Sequence, residues 1–279
     1  MQNLRSTILK TQLTDDQLAL FYLGQEGFVF KFRGKYVLVD GYLTGPLYDA
    51  AHGWGRNYRS PLKPEETDFV DVIFCSHDHM DHTDPLTIKG ILSVNDHAKF
   101  VIPAAYAKRV SEVCGVPEER IIPAHSGVKL EFLPDFTALP LPSAHEELHR
   151  DEAGDYFEMG YVLNFGGLKV YHCGDCCIYE GQKELVGNVD IAMLPVNGRS
   201  YYRLHDNVIG NMTLEEAVLF ARDASASLFI PMHFDLFPSN SIPAGYIPEA
   251  VKQYAPGMPY KIFQPGERLI YAKLPDDGE

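Results

Sequence analysis

The stretch SHDHMDHTDP at residues 76–85 sets three histidines, His77, His79 and His82, among three aspartates, Asp78, Asp81 and Asp84. A solvated charged face would use Glu and Lys. Imidazoles on alternate positions are what a metal site needs, because imidazole nitrogen and carboxylate oxygen suit Zn, Mn, Fe or Co. His77 and His79 share a face if the chain is extended there. Asp81 and His82 lie beyond a turn and can reach a second point nearby. Three further ligand-type residues stand where an apolar run stops: His145 after LPLPSA, Asp175 after LKVYHCG and His233 after LFIPM. Seven such groups are too many for one tetrahedral ion.

Some neighbours compete for these roles. His149 rivals His145 as the third histidine of the cluster, in a more polar stretch. Isolated histidines such as His97 and His125 read as surface or satisfied core residues. Asp78 and Asp84 could accept the far ring N–H of a ligand histidine and fix its tautomer; a solvated loop for Asp78 and a helix N-cap for Asp84 explain them equally well. Cys176 follows Asp175, and adjacent residues on an extended stretch point opposite ways, so packing is the better reading of that thiol than ligation.

The elements that must carry these residues can be read from the hydropathy pattern. LALFYLG, GFVFKF and KYVLVDGY are short apolar runs split by glycine, the mark of an antiparallel meander. DVIFC (71–75) is a buried-strand run leading straight into the histidine stretch. Residues 84–95 have helical spacing with an aspartate at the start, AKFVIP is a strand, and AAYAKRVSEVCG is a helix closing on Gly115. From 128 to 171 the β texture returns. VDIAMLPV, then a helix with Thr213 as N-cap and Glu216 three residues on, then SLFIPMHF alternate strand, helix, strand. A last helix near PEAVKQYA and the strand ERLIYAKL follow. Each half is thus β-rich first and alternating β/α afterwards, the pattern of two face-to-face sheets with helices outside, in one domain spanning 1–279.

Composition narrows the partners. The chain is 46% hydrophobic and 22% charged with a formal net charge of −14, a globular balance and a surface that repels polyphosphate, which argues against nucleic acid. No apolar run reaches the ~18 residues of a membrane span, and the first twenty residues hold no apolar stretch fit for a signal peptide. Five cysteines, an odd number in no disulfide spacing, read as reduced thiols and place the expected location in the cytoplasm.

HDHMDH resembles the HxHxDH signature of the metallo-β-lactamase superfamily, with His145, Asp175 and His233 in that family's ligand order. A closer likeness is to the L-ascorbate-6-phosphate lactonase branch, carried by the context of 73–82, HCGD at 172–175, LPVNGRSYYRLHDNVIGNMT at 194–213 and IPMHFDLF at 230–237. Cys176 departs from that branch, where a small hydroxyl residue is expected. The resemblance implies an α+β, four-layer αββα sandwich. It implies two divalent ions, Mn or Zn: one held by His77, His79 and His145, the other by Asp81, His82 and His233, with Asp175 bridging. Mn and a homo-oligomer are the branch's habit.

Two ions ~3.5–4 Å apart hold a water between them and lower its pKa toward 7, so a carbonyl or phosphoryl centre can be attacked without a Ser or Cys nucleophile. Asp81 and Asp175 are then the catalytic carboxylates, Asp81 orienting the nucleophile or carrying a proton. Recognition of a small anionic substrate falls to two loops. One is 197–206, with Asn197, Arg199, Tyr201, Tyr202 and Arg203, where arginine forks match phosphate or carboxylate oxygens. The other is 52–61, where Trp54 flanked by two glycines, with Arg56, suggests a lid. The reading is a hydrolase opening a phosphorylated sugar-acid lactone. A phosphodiesterase acting on a small diester and a non-catalytic metal-dependent sensor or scaffold are the alternatives.

Overall fold

The computed structural model describes residues 3–44, 55–133, 135–206 and 208–273. The first half opens with helix α1 (Leu4–Lys10) and the meander β1 (Gln17–Gly24), β2 (Gly27–Phe32) and β3 (Lys35–Val39). It continues with β4 (Val72–Phe74), α2 (Pro85–Leu92), β5 (Lys99–Pro103), α3 (Ala107–Cys114) and β6 (Ile121–Ala124). The second half repeats the plan with β7 (Leu130–Leu133), β8 (Phe136–Pro142), β9 (Met159–Phe165) and β10 (Leu168–His172). After these come α4 (Gln182–Val186), β11 (Ile191–Pro195), α5 (Tyr201–His205), α6 (Leu214–Asp223), β12 (Leu228–Met232), α7 (Tyr246–Tyr254) and β13 (Arg268–Ala272).

Among the described residues, thirteen strands form two sheets, of order β13-β1-β2-β3-β4-β5-β6 and β12-β11-β10-β9-β8-β7. In each, the meander strands pair antiparallel and the strands separated by helices pair parallel. Strand β13 returns to the first sheet beside β1.

Strand β1 explains the layering. Leu18, Leu20 and Tyr22 pack into the core between the sheets with Phe28, Phe30, Phe165 and Tyr171. The alternate residues Ala19, Phe21 and Leu23 pack on the other face against Leu4 and Ile8 of α1 and Ile88 and Ile91 of α2. Successive side chains of a strand point to opposite faces, so a strand apolar at every position must be covered on both. Helices α6 and α7 supply the matching outer layer, placing Ala217, Val218, Ile247 and Val251 against the second sheet. The result is the αββα sandwich expected from the alternation of textures.

The local signals hold at the helix ends. Asp84 caps α2, accepting from Leu86 and Thr87 backbone N–H. Thr213 and Glu216 form the capping box of α6. Helix α3 ends on Gly115 in the left-handed region (φ 76°). The hydropathy pattern does not predict helices α1, α4 and α5. Helix α1 has only seven residues, and α5 is a five-residue turn inside the segment read as a substrate loop.

Candidate metal centre

Strands β8, β10, β11 and β12 of the second sheet run the same way, as do β1, β3 and β4 of the first. Their carboxyl ends form one rim, the usual place for a site where parallel strands end. Asp40 follows β3, His77 to His82 follow β4, His145 follows β8, Asp175 follows β10 and His233 follows β12.

Hydrogen bonds tie the two halves of the rim. Met159 N–H donates to Ser76 O (2.9 Å) and His233 N–H to Gln25 O (2.9 Å), and Tyr161 Oη–H donates to Cys75 O (2.7 Å). Gly174 shows how close the approach is. It sits at φ 64°, and a β-carbon there would lie 2.8 Å from Ser76 Cβ, so only glycine lets the Asp175 loop close onto the histidine loop. Asp40 (φ 42°) and His233 (φ 55°) occupy the same left-handed region without being glycine. Such strain persists where surrounding contacts dictate the position of a working residue.

The predicted ligands converge as two groups. His77, His79, His145 and Asp175 each offer one ligand atom within 4.8 Å of the others, and Asp81, His82 and His233 do the same beside them. Asp175 lies between the two. Its Oδ2 faces His145 Nε2 (3.7 Å) and His77 Nε2 (4.0 Å), while its Oδ1 faces His233 Nε2 (3.2 Å) and His82 Nε2 (3.5 Å). His145, not His149, completes the first group; His149 pairs with Glu158 instead (3.4 Å).

Two tautomers follow from the supporting contacts. Ser76 Oγ–H donates to Asp40 Oδ2 (2.6 Å), and the carboxylate can only accept. The Ser76 oxygen therefore accepts from His77 Nδ1–H (3.0 Å), leaving the lone pair of His77 on Nε2. His82 Nδ1–H likewise donates to Asp40 Oδ2 (2.9 Å), which turns its Nε2 to the centre. Asp40 is thus the carboxylate that orients the ligand imidazoles, the role for which Asp78 and Asp84 were candidates. Asp84 is a helix cap, and Asp78 pairs with Arg109.

The charges fit a cation. Burial drives the His77 ring well below its usual pKa and His145 down to about 4, so both present neutral nitrogen. Burial acts the same way on His82 and His233 but is outweighed by Asp81 and Asp175, which push both upward. Burial opposes the charge of Asp81 and Asp175 too, yet the facing imidazoles hold both well below the carboxylate range. Glu26, wholly buried beside His82 and Asp175, adds a further carboxyl, which burial and Asp175 push far up. His77 Nε2, His82 Nε2 and Asp175 Oδ1 are buried without a hydrogen-bond partner, and atoms of that kind meeting at one point suit divalent ions better than one another.

Above the centre opens a cleft of about 440 Å³, walled by Met80, Val208, Ile209 and Phe237 and bordered by Arg109, Ser239 and Asn240. Of the expected substrate residues, Asn197 and Arg203 stand behind this wall, both hydrogen-bonded to Asn240 Oδ1. Arg199 turns away: its guanidinium forks onto the Glu216 carboxylate (2.7 and 2.6 Å). The capping glutamate of α6 is therefore its partner, which corrects the expectation of an anion clamp. Tyr201 (68% exposed) and Tyr202 (80% exposed) face solvent outside the cleft. The Arg56 guanidinium lies 3.8 Å over the Tyr42 ring, which packs with Phe237 and so braces the cleft wall from behind. Trp54 lies outside the described residues. Cys176 is packed, accepting from Ala144 N–H and donating to Cys177 O. Arg109, Asn240, Asp40 and Gln25 were missed; only Asp40, ending the run KYVLVD, shared the strand-end signal of the ligands.

This fold has known relatives. Residues 37–234 match the model of the beta-lactamase superfamily domain, and the chain belongs to the metallo-β-lactamase superfamily. It is 31% identical over 226 residues to a UPF0173 metal-dependent hydrolase of Bacillus cereus (strain AH187), covering 78% of this chain and 86% of that one. To a UPF0173 metal-dependent hydrolase of Hyperthermus butylicus it is 27% identical over 253 residues, 88% of this chain and 96% of that one. The solved structure of Igni18, a metallo hydrolase of Ignicoccus hospitalis, shares the fold with a TM-score of 0.70 at 21% identity, over 92% of this chain and 100% of that one. The chain is accordingly a metal-dependent hydrolase of this superfamily.

Proposed function

We propose that the protein opens a small anionic lactone or related carboxylic ester with the help of two divalent ions, Mn or Zn, which His77, His79 and His145 on one side and Asp81, His82 and His233 on the other would hold, with Asp175 serving both groups. The observation that carries this is the split of the Asp175 carboxylate, one oxygen toward His77 and His145 and the other toward His82 and His233. When bound, such ions activate water and polarise the carbonyl to be attacked.

The chain's own residues do the rest. Asp81, whose Oδ2 faces His82 Nε2 and His233 Nε2, orients the attacking water and relays its proton toward the leaving ring oxygen. Arg109, the one arginine or lysine among the described residues lining the cleft, attracts the substrate's anionic group. Its partner Asp78 engages one side of the fork and leaves the other for a carboxylate or phosphate. The apolar wall takes the carbon skeleton and keeps water from the ester. With Arg199 committed to Glu216, recognition of a phosphate on the substrate rests on Arg109. That same cation suits a small phosphodiester, which is the competing reading. The substrate is a free small molecule, and the assembly we expect is a homo-oligomer.

The test is hydrolysis by metal-stripped protein reloaded with Mn or Zn. The panel holds sugar lactones with and without phosphate, L-ascorbate 6-phosphate among them, and phosphodiesters. Metal-dependent lactone opening that disappears in Asp175→Ala supports the reading. Turnover confined to diesters would replace it.

A further inference from the structure

The segment 197–211 carries a hydrogen-bond chain whose polarity can be read atom by atom. Arginine only donates, so the atom of Asn240 that Arg203 Nη1 meets at 2.8 Å is the carbonyl oxygen Oδ1. The atom of Asn197 that meets the same oxygen at 2.9 Å must then be its amide nitrogen. Asn197 Oδ1 in turn accepts from Asn211 Nδ2 at 3.1 Å. Asn197 and Asn211 are fully buried, and the pairs Gly198 N–H to Met212 O and Asn211 N–H to Gly198 O clamp the backbone around them.

Asn240 ends this chain on the cleft wall, where it borders the space over Asp81, Asp175 and His233. Two donors converge on its oxygen, so the group it has left for the cleft is the –NH₂. No described residue accepts from that nitrogen, and it is not among the buried unpartnered atoms.

We propose that Asn240 is a fixed N–H donor to the carbonyl oxygen of the ester under attack, with Arg203 and Asn197 as positioning residues that prevent its amide from flipping. The inference rests on the hydrolase reading above and gives the NGR…NMT segment a task other than direct contact. A neutral donor adds no charge to a cleft that already holds one cation. It gains strength as the carbonyl oxygen turns negative, and removal of one such donor costs ~10²–10³-fold in kcat. Arg203 and Asn197 hold the orientation in advance, so none is spent on reorganisation during the reaction.

The experiment compares Asn240→Ala, Asn240→Asp and Arg203→Lys with the parent, all metal-loaded, on whichever panel compound the parent turns over. Metal content and Tm are measured alongside. The expected result is a ~10²-fold loss in Asn240→Ala, carried by kcat rather than KM. Asn240→Asp should lose more, since it is the same shape but offers an acceptor to an acceptor. Arg203→Lys, which keeps a donor, should stay within ~10-fold of the parent, with metal content unchanged throughout. Asn240→Asp within ~3-fold of the parent would overturn the proposal, as would loss of metal in Asn240→Ala. Should no panel compound turn over, the substrate reading fails by itself. The donor is then read by calorimetry with D-gluconate and inorganic phosphate as probes. Binding that weakens from parent to Ala to Asp supports it, and equal or absent binding in all three overturns it.

Discussion

The side-chain amide of Gln25 donates to Asp81 Oδ2 across 2.7 Å and lies 2.9 Å from His233 Nε2. A residue of the β1–β2 turn thus links two ligands that come from opposite sheets. The amide is 1% exposed, so water cannot take its place at little cost. Gln25→Ala should weaken metal binding by ~10–100-fold, the range for groups that orient ligands. A competitive chelator titration measures this, and an unchanged affinity would remove Gln25 from the site.

Asp175→Asn keeps the size of the side chain but leaves one ligating oxygen in place of two. If the carboxylate serves both ligand groups, metal content should drop by one ion per chain, and turnover should fall by more than the ~10–100-fold of an orienting residue. Atomic emission on the dialysed protein gives the count. Full metal content in the variant would contradict the bridging role.

Arg199 and Arg109 separate stability from recognition. Arg199 forks onto Glu216 with both side chains about one-third exposed, so Arg199→Ala should cost roughly 0.5–1 kcal/mol of stability with KM unaltered. Arg109→Ala should raise KM for anionic substrates ~10-fold, as expected for a lost hydrogen bond to a charged group, with Tm hardly moved. The reverse pattern would return the anion site to the 197–206 segment.

Glu158 gives the pH dependence. Burial pushes its carboxyl up to about 7, with His149 pulling the other way. The group is neutral in both folded and unfolded chains below the ordinary value of ~4.3, so its contribution is fully present there. That contribution is lost as pH rises through about 7. Glu158→Gln stays neutral throughout. The Tm difference between variant and parent should therefore move in the variant's favour from pH 5 to pH 8, and a gap that stays constant or moves the other way would count against it.

Much of this site is legible in sequence because four ligand positions share one local sign, an apolar strand run that stops at a His or Asp. The strand meander, the Thr213–Glu216 capping box and the Gly115 stop are local in the same sense. Gln25 and Glu26 are not. A polar pair between two strands reads as an exposed hairpin turn, and only the second sheet closing over it, with His233 N–H on Gln25 O, makes it interior. Arg199 misleads for a related reason. Its neighbours suggest an anion loop, but its partner Glu216 sits seventeen residues on, already visible as a helix cap. Arg109 lies on an amphipathic helix where nothing marks it apart from other surface charges; its place over the cleft depends on how α3 packs.

The seven ligand residues are drawn from both sheets, four from the loop after β4 and three from loops after β8, β10 and β12. Neither half of the chain alone owns a complete coordination set. Metal bound there would act as a rivet across a joint, and its binding energy would become resistance to unfolding in proportion to the logarithm of metal concentration. A cell that limits metal would shorten this protein's lifetime as well as its turnover, because the same scarcity that idles the cleft unfastens the two halves that proteases must first pry apart.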